Sequence, residues 1–217
     1  MKIDFLTLFP DMIRSYVEEA IMQRAQYAGV CDFSVHDIRD FSRDTHKNVD
    51  APPYGGGAGM VMQVEPIHLA HQSVHDGGKK SRTILLSAKG AAFTQRDAER
   101  LTQYDQLIFI CGRYEGVDER VAEHIADEEI AIGPYVLTGG ELGAMVIADS
   151  VVRLLPGVLG NDQSAVLESH ARDGYREHPH YTKPQMYNDW GVPDVLCSGD
   201  HAAIEQWRHE HSATDQK

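Results

Sequence analysis

LIFICGRYEGVDERVAEHIADEEIAIGPYVLTGGELGAM, residues Leu107 to Met145, is the stretch from which the fold of this chain is predicted. It opens with a short apolar run that ends at Gly112, and a run rich in β-branched and aromatic residues is typical of a buried strand in a parallel sheet. The apolar segment Ile130 to Leu137 then runs into a second glycine-rich loop. Ligands of open α/β sheets bind beyond the carboxyl ends of the strands, so the two loops together predict one pocket.

The flanking residues predict further strands and helices of the same sheet. Ile3 to Phe9 and Cys31 to Asp37 have the pattern of strands, and between them Asp11 to about Ala28 has the spacing of one amphipathic helix. Thr83 to Leu86 predicts another buried strand, with a loop from Ser87 to Gly90 after it. Strands joined by helices form parallel sheets with helices on both faces, so the predicted class is α/β. The other predicted elements are helices at Glu65 to Val74, at Gln95 to Gln103 after a Thr94 cap, at Val146 to Leu155 and at Ala202 to His211, and an extended segment at Val195 to Cys197.

Length and composition predict a soluble globular protein. A chain of 217 residues has room for one domain of ordinary size and a small appendage. Its 42% hydrophobic and 24% charged residues are ordinary values, and we find neither a membrane-spanning apolar segment nor a secretory signal. The three cysteines are widely separated and match no metal spacing, which favours unbonded thiols in a reducing cytoplasm.

The charge of the chain limits how it could bind nucleic acid. A formal net charge of -13 argues against a protein that coats nucleic acid without specificity, because phosphate neutralisation needs clustered Lys and Arg. It leaves open a protein that holds RNA through local basic patches. Two such clusters are present, one at Arg39, Arg43, His46 and Lys47 and the other at Arg172, Arg176 and Lys183.

Ile38 to Met62 is predicted to be a long loop, and loops of that length inside a compact domain are usually functional or disordered. It ends in the run YGGGAGM, Tyr54 to Met60, whose backbone NH groups could cradle a phosphate or an adenosyl group. The run lacks the Lys and Ser/Thr of a nucleoside-triphosphate loop. The simpler interpretation of this loop and the others is that their glycines only turn the chain.

Four stretches in one order resemble the bacterial tRNA (guanine-N1)-methyltransferases, a family of the trefoil-knot (SPOUT) methyltransferase superfamily. They are YGGGAGM at Tyr54 to Met60, CGRYEGVDER at Cys111 to Arg120, IGPYVLTGGE at Ile132 to Glu141 and DGYREHPHYTKP at Asp173 to Pro184. The resemblance also includes LFPDM near the amino terminus and PGVLG at Pro156, so it covers nearly the whole chain.

The resemblance implies an α/β domain with a deep trefoil knot on its C-terminal side and a small helical C-terminal domain. It divides the chain into a knotted cofactor-binding domain at residues 1–160, a flexible linker that carries the catalytic Asp at 161–185 and a tRNA-binding domain at 186–217. Chains of the family typically continue past the terminal helix, so this last domain is expected to be shortened. The resemblance further implies an obligate homodimer with each active site at the subunit interface.

The implied activity is methylation of N1 of the guanine immediately 3′ of the anticodon of tRNA, guanine 37, which supports maintenance of the reading frame. The implied partner is the tRNA anticodon arm, and the implied methyl donor is S-adenosyl-L-methionine. A need for Mg²⁺ stays open, and no set of metal ligands is predicted. The residues expected to hold the methyl donor are Leu86, Ser87, Ala88, Gly112, Tyr114, Ile132, Gly133, Pro134, Tyr135, Val136, Leu137, Gly139 and Gly140.

By the same resemblance, Glu115, Arg153 and Asp173 correspond to the functional polar residues of the family. N1 of neutral guanine carries a proton that a carboxylate must remove, which makes Asp173 the candidate general base. Charge then develops on O6, where Arg153 would stabilise it. Each residue also has an ordinary structural interpretation: Asp173 as a turn former, Arg153 as a cation at a helix end, and Glu115 as an ion-pair partner of Arg113 or Arg120.

Two other functions are compatible with parts of the sequence. The first is a phosphate- or nucleotide-binding hydrolase that uses YGGGAGM as an anion loop and Asp118, Glu119 or the HPH at His178 to His180 for a metal. Two histidines without a third ligand at a recognisable spacing are more typical of surface or RNA-contacting residues. The second is a noncatalytic module that only recognises the anticodon arm.

Overall fold

The computed structural model describes residues 1–160 and 168–214 of the chain. The chain divides into two compact units, Met1–Gly160 and Asn161–Lys217. The division of the second unit into a linker and a tRNA-binding domain stays a prediction, and residues 161–167 and 215–217 of those two segments lie outside the described ranges.

The first unit is built on a five-stranded parallel sheet with the strand order β2-β1-β6-β5-β7. This confirms the predicted α/β class, whereas the trefoil knot stays a prediction. The strands of this sheet are β1 (Lys2–Thr7), β2 (Asp32–Asp37), β5 (Ser81–Ala92), β6 (Gln106–Cys111) and β7 (Glu128–Ala131), and the short strands β3 (Asp50–Ala51) and β4 (Val61–Met62) form an antiparallel pair outside it.

Strand β6 is the central strand and is buried along its whole length. Leu107, Phe109 and Cys111 belong to one apolar cluster, whereas Ile108 and Ile110 belong to another. Because successive side chains of a strand point to opposite faces, the two clusters are the two layers of core on either side of the sheet. Helices α1 (Pro10–Val17), α2 (Ala20–Tyr27), α4 (Gln95–Leu101) and α6 (Glu141–Val152) contribute to the first layer, and α3 (Val64–Val74) and α5 (Glu119–His124) contribute to the second.

The single helix predicted for Asp11 to Ala28 was wrong, because the chain breaks between α1 and α2. Ile13 of α1 and Met22 of α2 are both buried in the same core layer. Nine residues separate them, and on one continuous helix they would lie about half a turn apart. The break lets both point into the core. It is made by an extended Glu19 and by Ala20, whose φ is +50°.

Other boundaries also differ from the prediction. The helix predicted at Val146 to Leu155 is α6, which begins at Glu141 and ends at Val152. Strand β5 continues to Ala92, so Ser87 to Gly90 is an irregularity inside a strand, where the pairing with β7 shifts between Leu86 and Ala91. Strand β7 ends at Ala131, and the apolar residues after it belong to a loop. The loop predicted for Ile38 to Met62 begins with a 3-10 helix at Ile38–Phe41 and contains β3 and β4.

In its described residues, 168–214, the second unit contains two short antiparallel pairs and two helices. Its elements are β8 (Tyr175–Arg176), β9 (Met186–Tyr187), β10 (Trp190–Gly191), α7 (Asp194–Cys197), α8 (His201–His211) and β11 (Ala213–Thr214), with β8 paired to β11 and β9 to β10. The extended segment predicted at Val195 to Cys197 was wrong, because these residues form α7. Among the described helices, each is too short or too polar to cross a membrane.

Candidate active site

A cavity of about 440 Å³ lies in the first unit, beside the irregular part of β5 and the carboxyl ends of β6 and β7. This volume falls within the range of roughly 300–1,000 Å³ that small-molecule sites occupy. The walls come from three segments that are distant in sequence: the irregular part of β5, the loop after β6 and the loop between β7 and α6. The parallel order of the strands brings these segments together, as expected for an open α/β sheet.

Gly140 has no room for a side chain. A Cβ atom on it would lie 2.8 Å from the Cα of Cys111 and 2.8 Å from the Cβ of Leu86. The Gly140 N–H donates to the carbonyl oxygen of Gly112 at 2.9 Å, so the loop before α6 rests on the end of β6. At this position glycine is required by a close approach between two backbones rather than by a turn.

A buried carboxylate holds this arrangement together. Glu141 is the first residue of α6 and is fully buried. Its Oε2 accepts from Nε of Arg113 at 3.0 Å, and its Oε1 accepts from Oγ1 of Thr7 at 2.8 Å. Arg113 also donates to the carbonyl oxygen of Thr138 at 3.2 Å and lies over the ring of Phe9. The network therefore joins the ends of β1 and β6 to the glycine loop.

The loop after β6 is held from the other side by the YGGGAGM segment. The Glu115 N–H donates to the carbonyl oxygen of Met60 at 3.0 Å, and the Met62 N–H donates to that of Gly116 at 3.0 Å. A Cβ atom on Gly59 would lie 2.5 Å from the Glu115 side chain, so this glycine permits the close contact. Tyr114 has a φ of +60°, a conformation that non-glycine residues adopt uncommonly.

Two polar groups in this region differ in their chemistry. Burial and the nearby Glu141 raise the pKa of the Cys111 thiol well above its ordinary value, so Cys111 is not suited to act as a nucleophile. Glu129 lines the cavity, and in the described part of the chain its buried Oε2 has no hydrogen-bond partner. A buried acceptor of this kind calls for a donor, and a ligand that carries hydroxyl or ammonium groups would supply one.

The family model described as "tRNA (Guanine-1)-methyltransferase TrmD" matches residues 1–217. Curated relatives named tRNA (guanine-N(1)-)-methyltransferase include that of Anoxybacillus flavithermus, 52% identical over 217 residues, and that of Shouchella clausii, 53% identical over 213 residues. A third, from Dehalococcoides mccartyi, is 50% identical over 213 residues. Each alignment covers 98% of this chain and 86% of the relative.

The chain belongs to the tRNA (guanine-1)-methyltransferase family. This confirms the resemblance seen in the sequence and places the chain in the SPOUT class of methyltransferases.

The structure brings together twelve of the thirteen residues predicted to bind the methyl donor of this methyltransferase family. These twelve residues line the cavity described above, whereas Pro134 does not. That these residues bind S-adenosyl-L-methionine stays a prediction.

The three polar residues carried over from the family belong to different parts of the chain. Glu115 lines the cavity. Arg153 is the C-cap of α6 and is not among the lining residues. Asp173 is exposed and stands in the turn before β8, in the second unit. Arg113 and Arg120, the two ion-pair partners considered for Glu115, pair with other carboxylates. Arg113 pairs with Glu141, and Arg120 pairs with Asp118.

Several residues in and around the cavity were not among those predicted from the sequence. Arg113, Glu141 and Thr7 were not singled out, although a charged residue directly after a buried strand and a carboxylate at the start of an apolar helix are signals that could have indicated them. Glu129 was missed because its position in an acidic run is typical of a solvated surface. Gly143 also lines the cavity, and a Cβ atom on it would lie 2.9 Å from Cδ1 of Leu86.

Proposed function

We propose that this chain transfers the methyl group of S-adenosyl-L-methionine to N1 of guanine 37 in tRNA, the guanine immediately 3′ of the anticodon. Membership of the tRNA (guanine-1)-methyltransferase family supports the reaction type and the substrate class. The observation that carries the proposal is that one cavity is lined by twelve of the predicted cofactor residues. Gly140, one of the twelve, packs closely against the backbone of Cys111.

The cavity fits an adenosyl group with an amino-acid tail. Leu86, Ile130 and Leu137 offer apolar surface, and the glycine-rich loop offers backbone groups. The unpartnered Oε2 of Glu129 would accept from a hydroxyl or ammonium group of such a ligand. When bound, S-adenosyl-L-methionine would supply an electrophilic methyl group, and the task of the protein is then to hold donor and acceptor in contact.

Three residues would act on the guanine. We assign removal of the N1 proton to the Asp173 carboxylate and stabilisation of the charge that develops on O6 to the Arg153 guanidinium. Glu115, at the edge of the cavity, would help to position the base. The proposal assigns these roles from the family pattern and from the chemistry of the side chains.

The proposal includes no step through Mg²⁺. In the described residues, one group of three His, Cys, Asp or Glu side chains could hold a metal ion, and it consists of Glu177, His178 and His180. Mg²⁺ prefers oxygen ligands in octahedral geometry, so two imidazole nitrogens do not suit it.

We further propose that the chain works as a homodimer in the cytoplasm, on the anticodon arm of tRNA, in support of reading-frame maintenance. Helices α1 and α6 pack on each other and expose Met12, Tyr16, Leu142 and Val146. An exposed apolar face of adjacent helices is typical of an interaction surface, and a self-complementary one would form a symmetric dimer. Arg172, Arg176 and Lys183 are candidates for contacts to phosphate.

The experiment that tests the proposal measures transfer of radiolabelled methyl from S-adenosyl-L-methionine to tRNA transcripts. We expect incorporation into a transcript with guanine at position 37, recovered as 1-methylguanosine after nuclease digestion, and none into a transcript with adenine there. Equal incorporation into both transcripts would contradict the proposed position. Tight adenosyl binding without any incorporation would favour the RNA-binding module, and tight binding of nucleoside triphosphates would favour the hydrolase.

A further inference from the structure

Glu177, His178 and His180 bring three potential metal ligands together just after β8. One ligand atom from each lies within 4.8 Å of the other two. Nε2 of His180 is 3.1 Å from Oε1 of Glu177, and the two histidine rings have their centroids 4.7 Å apart. Ligands that share one ion at about 2.0–2.2 Å lie roughly 3–3.5 Å from each other. Closing the group around an ion therefore needs side-chain movements on the order of an ångström.

The backbone of this group is held in place by its surroundings. The Glu177 N–H donates to Oγ of Ser169 at 3.0 Å, directly after the pairing of β8 with β11. Pro179 fixes its own φ and restricts the backbone of His178, the residue before it. The rings of Trp207 and His178 are arranged edge to face, with their centroids 6.3 Å apart. These contacts reduce the conformational entropy that would be lost when the three side chains converge on an ion.

We propose that Glu177, His178 and His180 bind a divalent transition-metal ion of the zinc class. Two imidazole nitrogens and one carboxylate oxygen are ligands that Zn²⁺ and its neighbours accept readily, whereas Mg²⁺ and Ca²⁺ prefer sites made of oxygen alone. Three protein ligands leave a coordination position for water. Sequence analysis predicted no metal site, because it counted two histidines and did not include the adjacent Glu177.

The proposal rests on the geometry of the three ligands and does not depend on the proposed methyl transfer.

The strongest competing group among the described histidines is on α3. His71 and His75 are one helical turn apart and their rings stack at 5.0 Å. Their Nε2 atoms are already engaged, that of His71 with Oγ1 of Thr83 at 2.9 Å and that of His75 with Oγ of Ser81 at 3.0 Å. The experiment removes this pair with the substitution His75→Ala.

The test uses the full chain with His75→Ala and Trp190→Phe, so that Trp207 is the one remaining tryptophan of the two in the sequence. We expect calorimetry to show that one Zn²⁺ ion binds to each chain. Paramagnetic Ni²⁺ should quench the fluorescence of Trp207, because this ring touches His178. Excess Zn²⁺ should reverse the quenching, whereas excess Mg²⁺ should not.

Substitution of the ligands gives the decisive comparison. His178→Ala and Glu177→Gln should each weaken Zn²⁺ binding by more than about tenfold, because even outer-shell substitutions at metal sites typically cost 10- to 100-fold. His209→Ala, an exposed histidine of α8 near Trp207, is the matched control and should bind as before. Glu177→Gln keeps the shape of the side chain, so it separates loss of a ligand from loss of folding, which circular dichroism would check. Unchanged Zn²⁺ affinity in both ligand variants, or reversal of quenching by Mg²⁺, would overturn the proposal.

Discussion

Arg113 is the side chain on which the base of the cavity depends most. Its guanidinium neutralises Glu141, whose side chain is 1% exposed, and bonds the Thr138 carbonyl of the glycine loop. Removing one partner of a buried ion pair leaves an uncompensated charge, which typically costs about 3–5 kcal/mol.

We expect Arg113→Met to lower the free energy of unfolding by about 3–5 kcal/mol, measured by urea denaturation, because the Glu141 carboxylate would stay buried without its cation while still accepting from the Thr7 hydroxyl. The matched control is Arg43→Met, which removes an exposed partner of Glu65 and should leave the unfolding curve unchanged. Equal losses in the two variants would contradict the special role of the buried pair.

Asp173 is the residue whose chemistry the proposed reaction needs most. Asp173→Asn keeps the shape of the side chain and removes its basicity. We expect single-turnover methyl transfer to fall by about two to four orders of magnitude, with S-adenosyl-L-methionine binding by calorimetry unchanged. Asp189→Asn alters another exposed aspartate of the second unit and should be fully active. A normal rate for Asp173→Asn at neutral pH would rule out this residue as the general base.

The loop between β7 and α6 owes its position to Gly140. A methyl group there would meet the backbone of Cys111 and the side chain of Leu86 at 2.8 Å, and backbone atoms cannot move aside cheaply. We expect Gly140→Ala to displace the loop and abolish measurable S-adenosyl-L-methionine binding in calorimetry. Gly77→Ala, where an added Cβ meets nothing within 4 Å, should bind as well as the unaltered chain. Undiminished binding by Gly140→Ala would show that the loop does not form the cofactor site.

The break between α1 and α2 carries a conformational cost at Ala20. Its φ of +50° lies in the left-handed region, which costs an L-residue roughly 1–2 kcal/mol, and its methyl group is exposed. We expect Ala20→Gly to raise the free energy of unfolding by roughly 1 kcal/mol in urea denaturation. Ala28→Gly, at a C-cap residue with a φ of -77°, should give no gain. Equal effects at both positions would mean that the left-handed backbone of Ala20 is not the cause.

The proposed dimer makes a prediction about the assembled protein. If Asp173 of one subunit acts on a guanine beside the cavity of the other, a chain with Asp173→Asn and a chain with Gly140→Ala should complement each other. Each variant homodimer should be inactive, whereas the mixed dimer keeps one site with both residues intact. We expect partial recovery of methyl transfer after co-expression and purification of mixed dimers, verified by mass. An inactive mixed dimer would show that each site is contained within one chain.

Local pattern in the sequence was sufficient for much of the first unit. The apolar run of β6, the strands β1 and β2 and the Thr94 cap of α4 were all predicted correctly. Thr94 accepts from the Asp97 N–H while Asp97 accepts from the Thr94 N–H, which needs only residues three apart. The apolar pattern of a buried strand and the residues of a helix cap are close together in the sequence. These elements can therefore be predicted from a single sequence. The glycine-rich loops after these strands also indicated where the cavity would be.

Contacts between distant residues were decided only by the tertiary structure. Thr7 and Glu141 are 134 positions apart, and their hydrogen bond exists because the parallel order of β1, β6 and β5 brings their ends together. The break at Glu19 likewise reflects the need to bury Ile13 and Met22 in one core layer, which overrides a helical periodicity that looked continuous. The sequence by itself determined which segments become strands, helices and glycine loops, because those follow from local propensity and burial. The polar network and the helix break were determined by packing between segments, which no local pattern records.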